Sequence, residues 1–454
     1  MGLKSERPVR AYVQSTKEPI QVLQILGRVF LPAGYPHSVS PDYLHYQIFN
    51  SLQAFSSSLA GLIASRAILE GFGVGDSSAS ATQALLFTAL QDIFSRLTTI
   101  VAAYYVGTSL FPEAKRFRLL ADVLNDAAIA LDSLSPLLNS THLGFNGTRL
   151  RVVALCLSGS LRALCGVAAG GSKAALALHF ASPQSGIADI GDLSAKDGSK
   201  ETVLALSGLL LGTLIVPYLA TPRLTYTVLF ALLLSHLTAN YIAVRGVVLR
   251  SLNRQRTSIA WTFFRESILN QNTDDPRKGG RRVLRPDEVA HRERIFDRSS
   301  LLRDIHTGKI GSCTVGSSFS AVCPSASAAY CQRLFDLFKD EKYILCVNPT
   351  SPPRLHICLK EGYTNLDQVK AWAHALEAVC PRSSLSDDEA ALSALERSYA
   401  WISEHFPIFV ADMDAAGWNT AEGSLSTGQP KSLILRTGRD DDVDAKKILR
   451  ELGD

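Results

Sequence analysis

Ionisable side chains set inside apolar segments are the residues of this chain best placed to do chemistry. Asp92 and Arg96 stand four apart within the apolar run from Ala84 to Val106, so on a helix they share a face and can neutralise each other. Asp122, Asn125 and Asp126 share a face of the segment from Leu119 to Leu138. Two carboxylates one turn apart repel unless a cation or a proton lies between them. Charge at membrane depth is costly, so such groups either pair to fix helix register or line a path for a solute or proton. His236 and Asn240, also one turn apart, would point into the same interior, although a lone histidine is more often a hydrogen-bonded core residue than a ligand.

Two further sets are basic or helix-capping in type. Arg162, Lys173 and His179 bracket the glycine-rich stretch from Gly166 to Ser172. A glycine-rich turn before a helix can hold a phosphate through its backbone N–H groups. The stretch is neither G-x-G-x-x-G nor a P-loop, and close helix packing through Gly166-Val-Ala-Ala-Gly170 explains the glycines equally well. In Ser194-Ala-Lys196-Asp197-Gly198-Ser199, Asp197 or Ser199 is read as the cap of the following apolar helix, with Glu201 favourable near its positive end. Lys196 is the residue a cap does not need.

The elements that must position these groups are long apolar helices. Val203 to Ala220 runs eighteen residues without a charge and carries Gly208 and Gly212 as G-x-x-x-G. Leu224 to Val244 follows the short turn Thr221-Pro222-Arg223 and makes an antiparallel pair with it. It ends at Arg245, Arg250, Arg254 and Arg256, a cluster that the positive-inside rule puts on the cytoplasmic or equivalent side. Val152 to Gly170 is a further apolar segment. Asp42 to Glu70 mixes apolar residues at helical spacing with Gln47, Asn50 and Gln53, and so lies against the bundle or lines a cavity. The competing reading is a soluble, very apolar helical bundle, and a detergent requirement separates the two.

Over 454 residues the chain is 46% hydrophobic and 19% charged, with 46 Lys plus Arg against 42 Asp plus Glu, a balance that argues against a nucleic-acid binder. The eight cysteines form no C-x-x-C pair and no zinc spacing, and read mostly as buried free thiols. The sequons at Asn139 and Asn146 would matter only in a lumenal loop. No cleavable secretory signal is evident in the first 30 residues.

A resemblance adds to this. Phe30-Leu-Pro-Ala-Gly34-Tyr-Pro-His-Ser-Val39, Asp42-Tyr-Leu-His-Tyr-Gln47, Leu52-Gln-Ala-Phe55 and Gly73-Val-Gly75-Asp76 occur in order. Arg118-Leu-Leu-Ala-Asp122-Val-Leu-Asn125-Asp126, Ser194 to Thr202, His236 with Asn240-Tyr241, and Leu252-Asn-Arg-Gln-Arg256 follow. Together they resemble the root UVB sensitive (RUS) family over about residues 25 to 260. Gln91-Asp92-Ile93 stands where the family pattern has Lys-Asp-Gly, which weakens any role for a lysine there and keeps the acid. The resemblance implies predicted membrane proteins with no established reaction, whose plant members are associated with plastids, ultraviolet-B responses and vitamin B6 homeostasis. A phosphorylated B6 vitamer would suit the basic set around Gly166.

The expected architecture is mainly α: a polytopic helical membrane bundle, with duplicated halves suggested by Gly71-Phe-Gly-Val-Gly75 and Gly166-Val-Ala-Ala-Gly170, plus a small C-terminal α+β domain. Its expected divisions are an N-terminal segment (1–41), the helical membrane domain (42–259), a charged and Gly/Ser-rich linker (260–328) and the α+β domain (329–454). In that last domain helices are expected near 326–339, 365–379 and 386–404, with strands at Tyr343 to Val347, Leu355 to Leu359 and Ser432 to Arg436. The leading functional reading is the binding or transport of a small solute; the alternative is a membrane-anchored adaptor that recruits a protein partner through the C-terminal domain. Partners would be the lipid bilayer, a small solute such as a B6 vitamer, and a family member or second copy of the chain, with no nucleic acid. No catalytic triad, metal set or cofactor fingerprint is read, so neither an enzyme, a metal nor a cofactor is expected.

Overall fold

The computed structural model describes residues 27–71, 81–139, 147–181, 189–271 and most of 282–425. Gly73, Gly75 and Asp76, the sequon at Asn146, Cys323, Cys380 and the expected strand at Ser432 to Arg436 lie outside the described residues.

The first part is a bundle of α1 (Tyr43–Gly71), α2 (Ala81–Val106), α3 (Ala114–Leu134), α4 (Gly147–Phe180), α5 (Ile190–Ile215) and α6 (Pro222–Gly246). Helix α1 is central, packing against α3, α5 and α6, while α3 lies along α4 and α2 rests on α4. Among the described residues, five helical segments are long and apolar enough to cross a membrane: Tyr43–Glu70, Leu85–Ser109, Arg149–Phe180, Ile190–Tyr218 and Pro222–Gly246. Their apolar side chains point outward, as Leu86 (61% exposed), Ile100 (68%), Leu210 (59%) and Leu214 (66%) show. Helix α3 is the reverse. Its charged stripe, Lys115, Arg118, Asp122 and Asp126, is buried, so the polar groups lie inside and the apolar ones outside.

Small residues set the α1–α5 contact. A Cβ at Gly208 would lie 2.8 Å from Ser58 Cβ and 3.0 Å from the Phe55 carbonyl oxygen, and one at Gly212 only 2.6 Å from Leu62 Cδ2. The G-x-x-x-G of α5 is therefore a seat for α1. The Gly166 and Gly170 motif is not: a Cβ at either meets nothing within 4 Å, and the tight position is the neighbouring Gly171, against Leu110. Gly212→Leu should consequently cost about 1–3 kcal/mol by overpacking. Gly166→Ala should be neutral or gain about 0.5–1 kcal/mol through helix propensity. Thermal midpoints of the two variants, measured side by side, check the contrast.

The second part starts well before the expected boundary. Helix α7 (Arg254–Gln271) carries Trp261 and Phe264, both 0% exposed, into a core shared with Trp372, Phe338, Tyr343 and Phe409. The stretch read as a linker (260–328) thus holds core residues, α8 (Pro286–Arg292) and the strands β2 (Leu301–Asp304) and β3 (Gly308–Val315). Alternate positions on these strands are buried, which a count of glycines and serines does not reveal. After α9 (Ala328–Leu337) come β4 (Tyr343–Asn348), β5 (Arg354–Leu359), α10 (Asn365–Val379) and α11 (Asp388–Ala415). The sheet order is β2-β3-β5-β4, with β3 and β5 parallel and the other pairs antiparallel. A short strand after the bundle, β1 (Ser251–Leu252), pairs in parallel with β6 (Asn419–Gly423) and helps tie the two parts together.

The basic cluster after α6 has a structural use. Arg245 donates to the carbonyl oxygens of Ala290 (3.2 Å) and His291 (2.6 Å), Arg254 donates to that of Leu425 (2.5 Å), and Arg256 pairs with Glu293 at 2.8 Å. These three side chains dock the C-terminal domain to the end of the bundle. Lys115 reaches across to the same Glu293 at 2.6 Å, so one buried carboxylate joins α3, α7 and the segment after α8. Burial alone would push the Glu293 carboxyl up, but Lys115 and Arg256 outweigh it and hold it below the usual glutamate range.

Candidate functional site

The stripe on α3 meets polar faces of α1 and α6 in a buried ionic layer. Arg118 Nη1 donates to Asp122 Oδ1 at 2.8 Å, its Nε to the Tyr46 hydroxyl at 3.2 Å and its Nη2 to Asn50 Oδ1 at 3.2 Å. His236 bridges the two carboxylates expected to repel, with Nε2 3.6 Å from Asp122 Oδ2 and Nδ1 2.7 Å from Asp126 Oδ1. The Nδ1 contact has ion-pair distance but is not aligned as a hydrogen bond. Gln53 fits the layer with its amide nitrogen 2.9 Å from His236 Nε2 and its oxygen 2.7 Å from Arg118 Nη2. That orientation makes Nε2 an acceptor and leaves the imidazole proton on Nδ1, facing Asp126. Asn240 donates to the Arg118 carbonyl oxygen at 3.3 Å, and Asn125 reaches Ser57 Oγ on α1 at 3.1 Å.

The layer is incomplete in a specific way. Asp126 Oδ2 and Asn240 Oδ1 are buried acceptors with no hydrogen-bond partner among the described residues. A carboxylate oxygen and an amide oxygen left so at the centre of a bundle are suited to a group that donates: a proton, a cation, or a solute N–H or O–H.

A second polar layer lies one helical turn and more toward the C-terminal domain. Asp197 accepts from the Tyr43 hydroxyl (2.9 Å) and from Gln47 Nε2 (2.9 Å), and Lys200 Nζ stands 2.7 Å from it. Glu201 accepts from Lys173 Nζ at 2.8 and 2.7 Å and from Asn50 Nδ2 at 3.3 Å. Asn50 therefore touches both layers. Between α1, α4 and α5 these groups border a cavity of about 250 Å³ lined by Tyr46, Asn50, Lys173, Asp197 and Glu201 with the Phe180 ring.

The structure brings Asp122, Asn125, Asp126, His236 and Asn240 together and puts Lys173 and Asp197 on the adjoining cavity. Asp92 and Arg96 are a correction. They pair at 2.8 Å as their spacing requires, but their side chains are 59% and 77% exposed on the outer face of α2, away from the interior. Helix α2 contributes one side only, to α4, so its ionic face is left outside.

The phosphate reading is also corrected. Gly166 to Ser172 is interior α4, where backbone N–H groups are used by the helix. The three basic groups do not converge: Arg162 pairs with Asp132, Lys173 with Glu201, and His179 with Asp42 at 3.0 Å. Asp197 and Ser199 do not cap a helix either, because α5 starts at Ile190 and Asp189 caps it by accepting from Gly191 N and Asp192 N. Lys196 donates to the Arg28 carbonyl oxygen at 2.5 Å, tying the chain before α1 to α5. Sequence reasoning passed over Arg118 and Lys200 as site residues. Their signal was the charge spacing, Arg118 four before Asp122 and Lys200 three after Asp197.

A mainly helical bundle with five helices long and apolar enough to cross a membrane, apolar side chains turned outward and an acid, base and imidazole layer buried within, is compatible with a membrane location. The chain belongs to the root UVB sensitive family: residues 16–267 match the vitamin B6 photo-protection and homoeostasis domain, and residues 282–429 match the root UVB sensitive protein C-terminal domain. It is 37% identical over 275 residues to RUS family member 1 of Dictyostelium discoideum, an alignment that covers 60% of this chain and 48%, about half, of that relative. It is 29% identical over 405 residues to the protein root UVB sensitive 3 of Arabidopsis thaliana, covering 87% of this chain and 82% of the relative. With the Arabidopsis protein root UVB sensitive 2, chloroplastic, the identity is 24% over 411 residues, 90% of this chain and 85% of the relative. No solved structure matches the chain.

Proposed function

We propose that this protein is an integral membrane protein that binds, and by alternating exposure moves, a small hydrogen-bond-donating solute at the layer formed by α1, α3 and α6. The observation that carries this reading is the unpartnered Asp126 Oδ2, 5% exposed for the residue as a whole, beside an imidazole in a bundle with an apolar exterior. A cavity of about 250 Å³ that meets the layer through Tyr46 and Asn50 is at the small end for a ligand site and suits a single-ring molecule. A B6 vitamer is such a molecule, a pyridine ring with hydroxyl donors, and the matched family description names vitamin B6. Asp126 and Asn240 would accept from the solute, Arg118 would fix Asp122 in place through their ion pair, and His236 would bridge the two acids.

Ligand-induced thermal stabilisation of the detergent-purified protein tests the reading. A vitamer at about 100 times its dissociation constant should add about 2.7 kcal/mol to stability. Asp126→Asn, which keeps size and removes charge, should abolish that gain. A flat response across phosphorylated and unphosphorylated vitamers, from protein that unfolds cooperatively, would favour the membrane-anchored adaptor instead. In that case Asp122→Asn and Asp126→Asn would leave partner capture by the C-terminal domain intact.

A further inference from the structure

A second cavity, about 410 Å³, lies outside the bundle, where the start of α3 meets α7, the segment after α8 and strand β2. Its wall carries Arg292, Arg294, Arg298 and Arg303 against Glu113, Asp297 and Asp304. Two of these acids are already neutralised. Asp297 takes both prongs of Arg303, at 2.8 and 2.7 Å, and Asp304 pairs with Arg265 at 3.2 Å. Among the described residues no carboxylate forms an ion pair with Arg292, Arg294 or Arg298; Arg292 donates only to the Glu288 carbonyl oxygen at 2.8 Å. Burial pushes the carboxyl of Glu113 up, against the pull of Arg256 and Arg254, and this one carboxylate stands against the three arginines. Arg292, Arg294 and Arg298 line one concave wall, where like charges repel, and an anion between them would relieve that cost.

We propose that this cavity is a binding site for a phosphate monoester dianion, held by Arg292, Arg294 and Arg298. Arginine forks match phosphate oxygens two at a time, and the surplus of about two positive charges corresponds to a dianion. The apolar part of the wall, Ile259, Ile295, Leu301 and Ile305, gives an organic body attached to the phosphate somewhere to lie. The site sits at the end of the bundle, so the same monoester could arrive on a soluble molecule or as a lipid headgroup. This site shares no residue with the Asp126 layer.

The test uses the full chain in phosphatidylcholine nanodiscs and reads the thermal midpoint. One arm adds glycerol 3-phosphate to the solution; the other replaces part of the lipid with phosphatidic acid, which presents the same monoester from the bilayer. The midpoint should rise in at least one arm. A rise with glycerol 3-phosphate assigns a soluble ligand, and a rise with phosphatidic acid alone assigns a headgroup. The Arg294→Gln/Arg298→Gln variant should bind roughly tenfold or more weakly for each guanidinium removed. Arg294→Lys/Arg298→Lys should fall between, because lysine keeps the charge and loses the fork. Both arginines are exposed, so both variants should still fold, and each rise is read against that variant's own midpoint in phosphatidylcholine alone. No rise in either arm, or an equal rise in the glutamine variant, overturns the assignment. Asp126→Asn should leave the rise as in the unaltered chain, which separates failure here from failure of the solute reading.

Discussion

Arg118→Ala should destabilise the bundle by about 3–5 kcal/mol, the usual cost of removing one partner from a buried ion pair. The side chain is 2% exposed and serves three acceptors at once, Asp122, Asn50 and the Tyr46 hydroxyl. Without it, Asp122 would keep the Gln53 amide and the longer contact to His236 at 3.6 Å but lose its guanidinium, and two polar groups of α1 would lose their donor. The thermal midpoint of the purified protein reads the loss. Arg118→Met combined with Asp122→Leu should be milder than Arg118→Ala alone, since it removes the stranded charge along with its partner and restores packing. If Arg118→Ala melts with the unaltered chain, the layer contributes nothing to the fold and its burial needs another account.

The same layer shows how far the sequence could be read. Asp122, Asn125 and Asp126 were legible because helical spacing alone puts them on one face, and His236 and Asn240 for the same reason on α6. Spacing says which residues share a face but not which way the face turns. That is why Asp92 and Arg96, with the same four-residue interval as Arg118 and Asp122, were assigned to the interior and lie outside. Orientation is decided by how many neighbours a helix has: α2 has one principal partner, while α3 lies against α1, α4 and α6. A similar limit applies to Gly166, whose motif matches that of Gly208 but whose facing space is empty. The long apolar helices and the α+β character of the C-terminal domain were legible from hydropathy and periodicity. The boundary was not, because Trp261 and Phe264 sit just beyond the basic run that looked like the end of a membrane domain and belong to the far core.

That run bears on the second large effect, which concerns Glu293. Glu293→Gln should leave Lys115 and Arg256 buried with no countercharge, at a cost of about 3–5 kcal/mol. The loss should appear first where the two parts meet, because the carboxylate joins α3 to α7 and the segment after α8. The pH dependence has a fixed sign. A carboxyl held below its ordinary value contributes stability that is fully present above the unfolded-state pKa and is lost as pH falls through the folded-state value. Acid should therefore loosen the docking of the C-terminal domain in the unaltered chain, below the ordinary glutamate value of 4.5, before the apolar bundle responds. Hydrogen exchange of residues 286–292 against pH measures this directly, since Arg245 holds that helix end through the carbonyl groups of Ala290 and His291. In Glu293→Gln the exchange should already be fast at neutral pH and should lose its acid-dependent step. An unchanged step in that variant would move the acid response to another carboxylate, for which Asp297, also held low by Arg303 against its burial, is the nearest candidate.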